Sequence, residues 1–442
     1  MARGSKVVTL AAFARRSGAV GALWTALTAL APSAGVAAPA APATAGPCAL
    51  LASECDAAIA AASEPKAKAA LLLRRAYLKD GLERYQDAIA DLTAAIALDP
   101  ANSGALHERA YAESSLMRYA EAIRDLDAEA RLTPNSPDVY QERAYSRLHT
   151  ADLPGALDDW THVARLRPNL AGAFEGKADA EMWLGRFDAV DADLRTATSL
   201  ARAANDADTL QAIQRAQRTL VLWRTTSPGP HPELNCEAAD RKGDAGQPNL
   251  IGDCTAAFLR ARTGREKAAA LTIRAMAWWV GQQDPQSGRP DQEMAVAVDP
   301  DNPDWRSNLG FVYLRNHHSW AALQEFDRAV ALKPSFAALG GRAAARSNLG
   351  DQAGAVADAQ ASNALKPNDL AFTVLGDVAM KSSHGAMAAK GYWLAAYRLG
   401  DHDDGLMARL KEVGVDEPDK VAPDKVVRTP RHPHPRHHRH KR

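Results

Sequence analysis

Three stretches of the sequence share one pattern, and this pattern decides the fold: RRAYLKDGLERYQDAIADLTAAIALDP at Arg74–Pro100, ERAYAESSLMRYAEAIRDLDAEARLTP at Glu108–Pro134 and ERAYSRLHTADLPGALDDWTHVARLRP at Glu142–Pro168. Each stretch begins 34 residues after the one before it. The recurring positions are an early alanine (Ala76, Ala110, Ala144), a later alanine (Ala88, Ala122, Ala156) and a closing proline (Pro100, Pro134, Pro168). A fixed period of this length predicts tandem structural repeats that stack on one another.

Weaker copies of the pattern follow along the chain. A fourth copy runs over Ala178–Ala197 without a closing proline, and later copies cover Asn308–Pro334, Gly350–Pro367 and Leu375–Ala395. The copy that should open this later set is interrupted by Asp284–Pro290. We therefore predict two arrays of repeats.

The pattern resembles the tetratricopeptide repeat family. In that family each unit is a pair of antiparallel helices, a small residue in each helix lets the two backbones approach, and a proline ends the second helix. The resemblance implies an all-α fold, a right-handed superhelix of helical hairpins. It also implies that partners, proteins or peptides, bind on the concave face.

The composition agrees with this fold class and narrows the function. About a fifth of the residues are alanine, the best helix former, and only 6% are aromatic, which argues against a β-sandwich. Four basic residues precede Glu54 and seven follow Asp424, which leaves 42 basic against 53 acidic residues in between. Phosphate binding needs clustered Lys and Arg, so we expect no nucleic-acid partner for this acidic body.

The N-terminal residues have the layout of a secretory signal peptide. Met1–Arg16 is basic, the apolar run GAVGALWTALTALA follows at Gly18–Ala31, and small residues come after it. The run is too short for a bilayer span, which needs about 20 residues. We expect an exported protein, periplasmic or secreted, with no transmembrane span after cleavage. An uncleaved anchor is the alternative.

Cys48, Cys55, Cys236 and Cys254 remain after cleavage, and an even number of cysteines in an exported chain favours disulfides over a metal site. The sequence from Glu54 aligns without gaps to that from Asp253 and superimposes Cys55 on Cys254. This internal duplication favours the pairs Cys48–Cys55 and Cys236–Cys254 among the three possible connectivities.

These features give a layout of five segments. We predict a signal and cleavage region at 1–45, a first array with a capping helix at 46–224, and a Pro/Gly-rich linker at 225–253. A second array with a capping helix is predicted at 254–413, and a disordered basic tail at 414–442.

Tyrosines recur once per unit, directly after the early alanine, at Tyr77, Tyr111 and Tyr145. The resemblance implies that side chains there point to the concave face. A tyrosine ring buries a large area and keeps a hydrogen-bonding tip, so a row of them suits an extended peptide. The predicted partner-binding residues are Tyr77, Tyr111, Tyr145, His107, Glu108, Gln141 and Glu142. The alternative is that the tyrosines only pack between neighbouring first helices.

We find no nucleophile motif, zinc motif, phosphate loop or dinucleotide-binding glycine pattern, so we predict a non-catalytic chain without a cofactor. The predicted function is a protein–protein interaction scaffold or adaptor of the bacterial cell envelope. An enzyme or enzyme subunit with a site near the linker or Asp284–Pro290 is the alternative from another class.

The tail combines seven Lys or Arg residues with five histidines, His432, His434, His437, His438 and His440. Three interpretations remain open. The tail contacts an anionic surface or another polyanion, binds a transition metal through neutral imidazoles, or only keeps the chain soluble.

Overall fold

The computed structural model describes residues 52–82, 84–242, 245–282, 284, 287–382 and 385–421. These residues form 21 α-helices and one 3₁₀ turn, and no strand occurs among them. Two compact units can be distinguished, 52–312 and 313–421. The predicted all-α class is confirmed.

The helices follow one another with short connections. Those of the first unit are α1 (Ala52–Ala61), α2 (Pro65–Asp80), α3 (Tyr85–Leu98), α4 (Ser103–Ser115), α5 (Tyr119–Leu132), α6 (Pro137–His149), α7 (Leu153–Leu166), α8 (Ala171–Trp183), α9 (Phe187–Ala204), α10 (Ala207–Arg224), α11 (Glu233–Lys242), α12 (Leu250–Arg260), α13 (Gly264–Gly281) and α14 (Arg289–Val298). The division falls in α15 (Pro303–Arg315), and the second unit continues with α16 (Ser319–Leu332), α17 (Phe336–Asn348), α18 (Gln352–Leu365), α19 (Asp369–Met380), α20 (Ala386–Arg398) and α21 (Asp404–Glu412).

Helices α2 to α9 form four successive hairpins, α2–α3, α4–α5, α6–α7 and α8–α9, with the architecture of tetratricopeptide repeats. The two recurring alanines lie where the helices of a hairpin meet: Ala76 and Ala88 are both fully buried. A larger side chain there would separate the helices, because interiors are close-packed. The turn inside a hairpin uses a left-handed residue, Met117 (φ 60°), Ala151 (φ 62°) or Gly185 (φ 71°).

An ion pair joins the two helices in each of these four hairpins. An arginine of the first helix donates one hydrogen bond to each carboxylate oxygen of an aspartate on the second helix. In the third hairpin the Arg143 Nε–Asp159 Oδ2 distance is 2.9 Å and the Nη2–Oδ1 distance is 2.6 Å. Equivalent pairs, here called the ladder, are Arg75–Asp91, Arg109–Asp125, Arg274–Asp291 and Arg342–Asp358, with Lys177–Asp193 in the fourth hairpin. Bidentate pairs of this kind fix geometry as well as add energy.

The ladder also reaches the preceding repeat. Arg143 donates to Asp127 of α5 at 2.9 Å, and Arg342 donates to Asp327 of α16 at 3.0 Å. Arg274, which is fully buried, donates to Thr255 of α12 at 2.8 Å and lies over the Trp223 ring. One arginine therefore sets both the pairing within a hairpin and the stacking on the previous helix.

The described residues of the segment predicted as a linker, 225–242 and 245–253, are folded. It contains α11 and the start of α12, and Asp253, 1% exposed, accepts hydrogen bonds from the backbone N–H and hydroxyl of Ser227 at 2.7 and 2.6 Å. The predicted Cys236–Cys254 disulfide is present, although Cys236 lies on a helix instead of a loop. Burying these polar groups with partners compensates for the low apolar content of the segment.

The compact units also divide elsewhere than the predicted arrays. Helix α10 forms as predicted, with Asp206 accepting from the backbone of Thr209, but it packs against α12 as well as α8 and α9 instead of ending the array. Residues 254–312 consequently belong to the first unit. The two-array layout stays a prediction.

The predictions for the two chain ends fall only partly on described residues. Cys55 is disulfide-bonded, but Cys48 and the signal region lie outside the described residues, and so do His432, His434, His437, His438 and His440. The tail prediction was wrong for 414–421, because Val415 is 3% exposed and packs with Leu406 and Leu410 of α21. Val415 and Val421 supply apolar surface to this segment, whereas its proline and charged residues had suggested disorder.

The ladder should be worth far more than a surface ion pair. We expect Arg143→Ala to lower the free energy of unfolding by about 3 kcal/mol, because it leaves the 3%-exposed Asp159 with one cation. Arg84→Ala breaks the exposed pair with Asp87 and should cost under about 1 kcal/mol. Denaturant unfolding followed by circular dichroism measures both, and equal losses would contradict the ladder's importance.

Glycine 176 marks a second constraint. A Cβ there would lie 2.3 Å from the Trp160 ring, whereas a Cβ at Gly172, on the same helix, meets nothing within 4 Å. We expect Gly176→Ala to destabilise the protein by about 1–3 kcal/mol through overpacking. Gly172→Ala should stabilise it by about 0.5–1 kcal/mol through helix propensity. Thermal unfolding distinguishes these opposite signs, and a shared sign would contradict the packing argument.

Candidate functional site

The first helices of the four hairpins, α2, α4, α6 and α8, lie side by side, and we call the surface that they share the first-helix face. Tyr77, Tyr111 and Tyr145 occupy equivalent positions on α2, α4 and α6, and Asp179 occupies that position on α8. The 34-residue spacing keeps them in register.

The three tyrosines differ in exposure. Tyr111 and Tyr145 are 40% and 41% exposed, which is unusual for large rings inside a repeat stack. Tyr77 is half-buried, and its hydroxyl donates a hydrogen bond to the Glu108 carboxylate. Burial and, to a smaller extent, the charge of Glu108 raise the pKa of Tyr77. Tyr77 of α2 is thus tied to the neighbouring first helix α4 through Glu108, whereas the Tyr111 and Tyr145 rings stay partly exposed.

His107 joins one other predicted site residue, Glu142, to an unpredicted one, Glu129. Its Nδ1 lies 3.1 Å from Glu129 Oε2, and its Nε2 lies 3.4 Å from Glu142 Oε1. Burial opposes the charged ring, but the bond to Glu129 and the charge of Glu142 prevail and raise the pKa of His107 to about 9. His107 is therefore an imidazolium at neutral pH.

The face is otherwise rich in carboxyl groups. Burial, followed by the charge of Glu108, raises the pKa of Asp80 to about 7, and both Asp80 oxygens are shielded from solvent without a hydrogen-bond partner. Burial likewise raises the pKa of Glu108, of Glu142 to about 7 and of Glu175 to about 7. Burial therefore opposes the ionised form of these carboxyl groups more strongly than the nearby positive charges favour it.

Helix α14 contacts the same face at its α6 end. His149 of α6 is 2.6 Å from Glu293 of α14, its ring stacks on Tyr119, and the edge of the Tyr145 ring meets it at 4.6 Å between centroids. Burial raises the pKa of Tyr145, with Glu293 adding to the effect and Arg289 opposing it. The chain's own helix thus covers part of the face beside Tyr145.

The structure brings Tyr77, His107, Glu108 and Glu142 together, and it places Gln141, half-buried, on the same helix as Tyr145. Sequence reasoning missed further members of the face, which are Asp80, Glu129, Glu175, Asp179, His149 and Glu293. The period could have found Glu175 and Asp179, which stand 34 residues after Gln141 and Tyr145. Their role in binding stays a prediction.

The described part of the chain contains no group of three or more His, Cys, Asp and Glu side chains arranged to hold a metal ion. None of its helices is both long enough and apolar enough to cross a membrane.

No family model and no curated protein matches the chain. Among solved structures, MamA is 16% identical over 35% of this chain and 88% of its own, with a TM-score of 0.33. YrrB, described as a TPR protein with an unusual peptide-binding site, is 13% identical over 65% and 97%, with a TM-score of 0.29. Yeast Tom70 is 12% identical over 82% and 90%, with a TM-score of 0.30. At this level the likenesses assign no function.

The His107 cluster makes a testable pH prediction. Because its folded pKa of about 9 exceeds the ordinary 6.5, the cluster stabilises the fold fully below 6.5 and loses this stabilisation as pH rises through 9. We expect the His107 ring signal, assigned by its loss in His107→Gln, to titrate near 9 by NMR. Glu129→Gln should move the midpoint toward 6.5, and a midpoint unmoved by that change would contradict the arrangement.

Proposed function

We propose that the chain is a non-catalytic protein–protein interaction scaffold that holds an extended segment of a partner on the first-helix face. The observation that supports it most is that Tyr111 and Tyr145 stay about 40% exposed at equivalent positions of neighbouring repeats. Such rings would bury a large area on a bound segment at little cost in side-chain entropy.

The charge of the face favours a partner segment that carries Lys or Arg. Asp80, Glu108, Glu142 and Glu175 line it with raised pKa values, and a bound cation would favour their ionised forms. Binding would therefore release protons and weaken with added salt. The solvent-shielded, unpartnered oxygens of Asp80 would gain a donor from such a segment.

The cellular place of this scaffold is part of the proposal. Residues 1–45 have the pattern of a signal peptide, and the cysteines occur in an even number, so we propose a location in the bacterial cell envelope. The partner would then be an exported or envelope protein.

Replacing the two exposed tyrosines tests the proposal. We expect affinity capture from the native envelope to lose its partner with the combined Tyr111→Ala and Tyr145→Ala chain, while circular dichroism shows unchanged helix content. The control is a chain with Leu132→Ala and Val221→Ala, two exposed apolar side chains outside the first helices.

Capture should also fall as salt is raised from low to physiological concentration. Equal capture by the tyrosine variant and the wild type would remove the first-helix face from the binding site. Capture indifferent to salt would leave the face but reject a cationic partner segment.

A further inference from the structure

One position of the hairpin repeat reverses its charge between copies. This position lies four residues after the ladder cation of the first helix. It is Lys79 in the first hairpin and Arg147 in the third, and each donates a hydrogen bond to the ladder aspartate of its hairpin, at 2.6 and 2.8 Å. Arg346 does the same in the second unit at 2.8 Å. In the second and fourth hairpins the position holds Glu113 and Glu181.

Both glutamates are buried beside an aspartate. Glu113 is 8% and Glu181 7% exposed, and one carboxyl oxygen of each, Oε2, has no hydrogen-bond partner. The ladder aspartate of the second hairpin, Asp125, already receives both hydrogen bonds of Arg109. Ionised Glu113 would thus be a buried anion that faces another anion across the hairpin.

The surrounding charges can be named element by element. Around Glu113 they are Arg109 on α4, Asp125 and Glu121 on α5, and Arg118 in the turn. The contacts from the neighbouring helices α3 and α6 are neutral. The Thr93 hydroxyl of α3 accepts a hydrogen bond from Arg109, and the Ser146 hydroxyl of α6 is hydrogen-bonded to that of Ser114.

Around Glu181 the charged groups are Lys177 on α8, Asp193 on α9 and Arg186 in the turn, while Arg215 of α10 acts on Glu175. In the third hairpin, Asp127 of the preceding helix lies near Arg147. The equivalent position before the fourth hairpin, on α7, holds the neutral Thr161. The position thus carries a carboxyl group in the second and fourth hairpins, where Lys79 and Arg147 carry a cation in the first and third.

The energetic consequence follows from burial and like charge. Burial, then the ladder aspartate, raises the pKa of both Glu113 and Glu181 to about 7. By contrast, the pKa of Asp91, which accepts from Arg75 and Lys79, is lowered although burial opposes this. A raised folded pKa means that the glutamate's stabilisation is complete below its ordinary value near 4.5 and is lost as pH rises through about 7.

We propose that Glu113 and Glu181 form a proton-operated switch: when protonated they hold the second and fourth hairpins closed, and when ionised they loosen them. The third hairpin, with Arg147 in their place, lacks this switch, although burial also raises the pKa of Glu142 on its helix α6 to about 7. The two switched hairpins carry Tyr111 and Asp179, on either side of Tyr145, so the proton state changes both flanks of the first-helix face. This inference does not depend on what binds there.

Native-state hydrogen exchange by mass spectrometry of the full chain tests the switch. Exchange rates are divided by the intrinsic rates at pH 5.5, 7.0 and 8.5, so that protection factors are compared. We expect protection of α4–α5 and α8–α9 to fall roughly tenfold between pH 5.5 and 7.0, and at most about twofold from 7.0 to 8.5, beyond any fall in the matching glutamine variants, because over the lower range an exposed glutamate is ionised while the buried one is still protonated.

Matched variants assign the effect to the two side chains. Glu113→Gln and Glu181→Gln should abolish the loss between pH 5.5 and 7.0 that their own side chains cause, whereas the loss that His107 causes in α4–α5 above pH 7 should remain. Glu113→Lys should raise protection of α4–α5 at pH 8.5 by completing the ladder, and Arg147→Glu should add a response to that of α6–α7. A response between pH 5.5 and 7.0 that is unchanged in the Gln variants would overturn the proposal.

Discussion

The fold depends on one interaction, the bidentate pair between a first-helix arginine and the aspartate of the second helix. In the first three hairpins the two residues are 16 positions apart, which spans the end of the first helix, the turn and the first half of the second helix. Packing of small alanines lets helices approach, but such surfaces are similar in every copy and would tolerate slippage. A buried charge without its partner is costly, so the pair fixes register where apolar contacts do not.

Much of this could be predicted from the sequence. The 34-residue period gave the hairpins, their small contact positions and their limits, because helix packing repeats with the chain. The Cys236–Cys254 pair followed from the internal duplication. The ladder residues also recur in the sequence, as Arg75, Arg109 and Arg143 followed by Asp91, Asp125 and Asp159. Charged residues on a helix are usually exposed to solvent, however, and a single sequence does not reveal that these are buried.

The parts that sequence could not supply involve contacts between distant repeats. His149 and Glu293 are 144 positions apart, and no periodicity relates them. The folding of 225–253 depends on Asp253 meeting Ser227, a contact of buried polar groups that composition hides. On the first-helix face the tyrosines were predictable by spacing, whereas their acidic surroundings arise from neighbouring hairpins and become unusual only when burial raises the pKa values.

A double-mutant cycle between Arg143 and Asp159 tests the central claim most directly. Unfolding free energies of the wild type, Arg143→Ala, Asp159→Ala and the double variant give the coupling energy of the pair. The ladder account predicts a coupling of about 2 kcal/mol, in the range of buried networked pairs. A coupling near zero, as for independent surface charges, would show that alanine packing alone sets the register and would contradict the account.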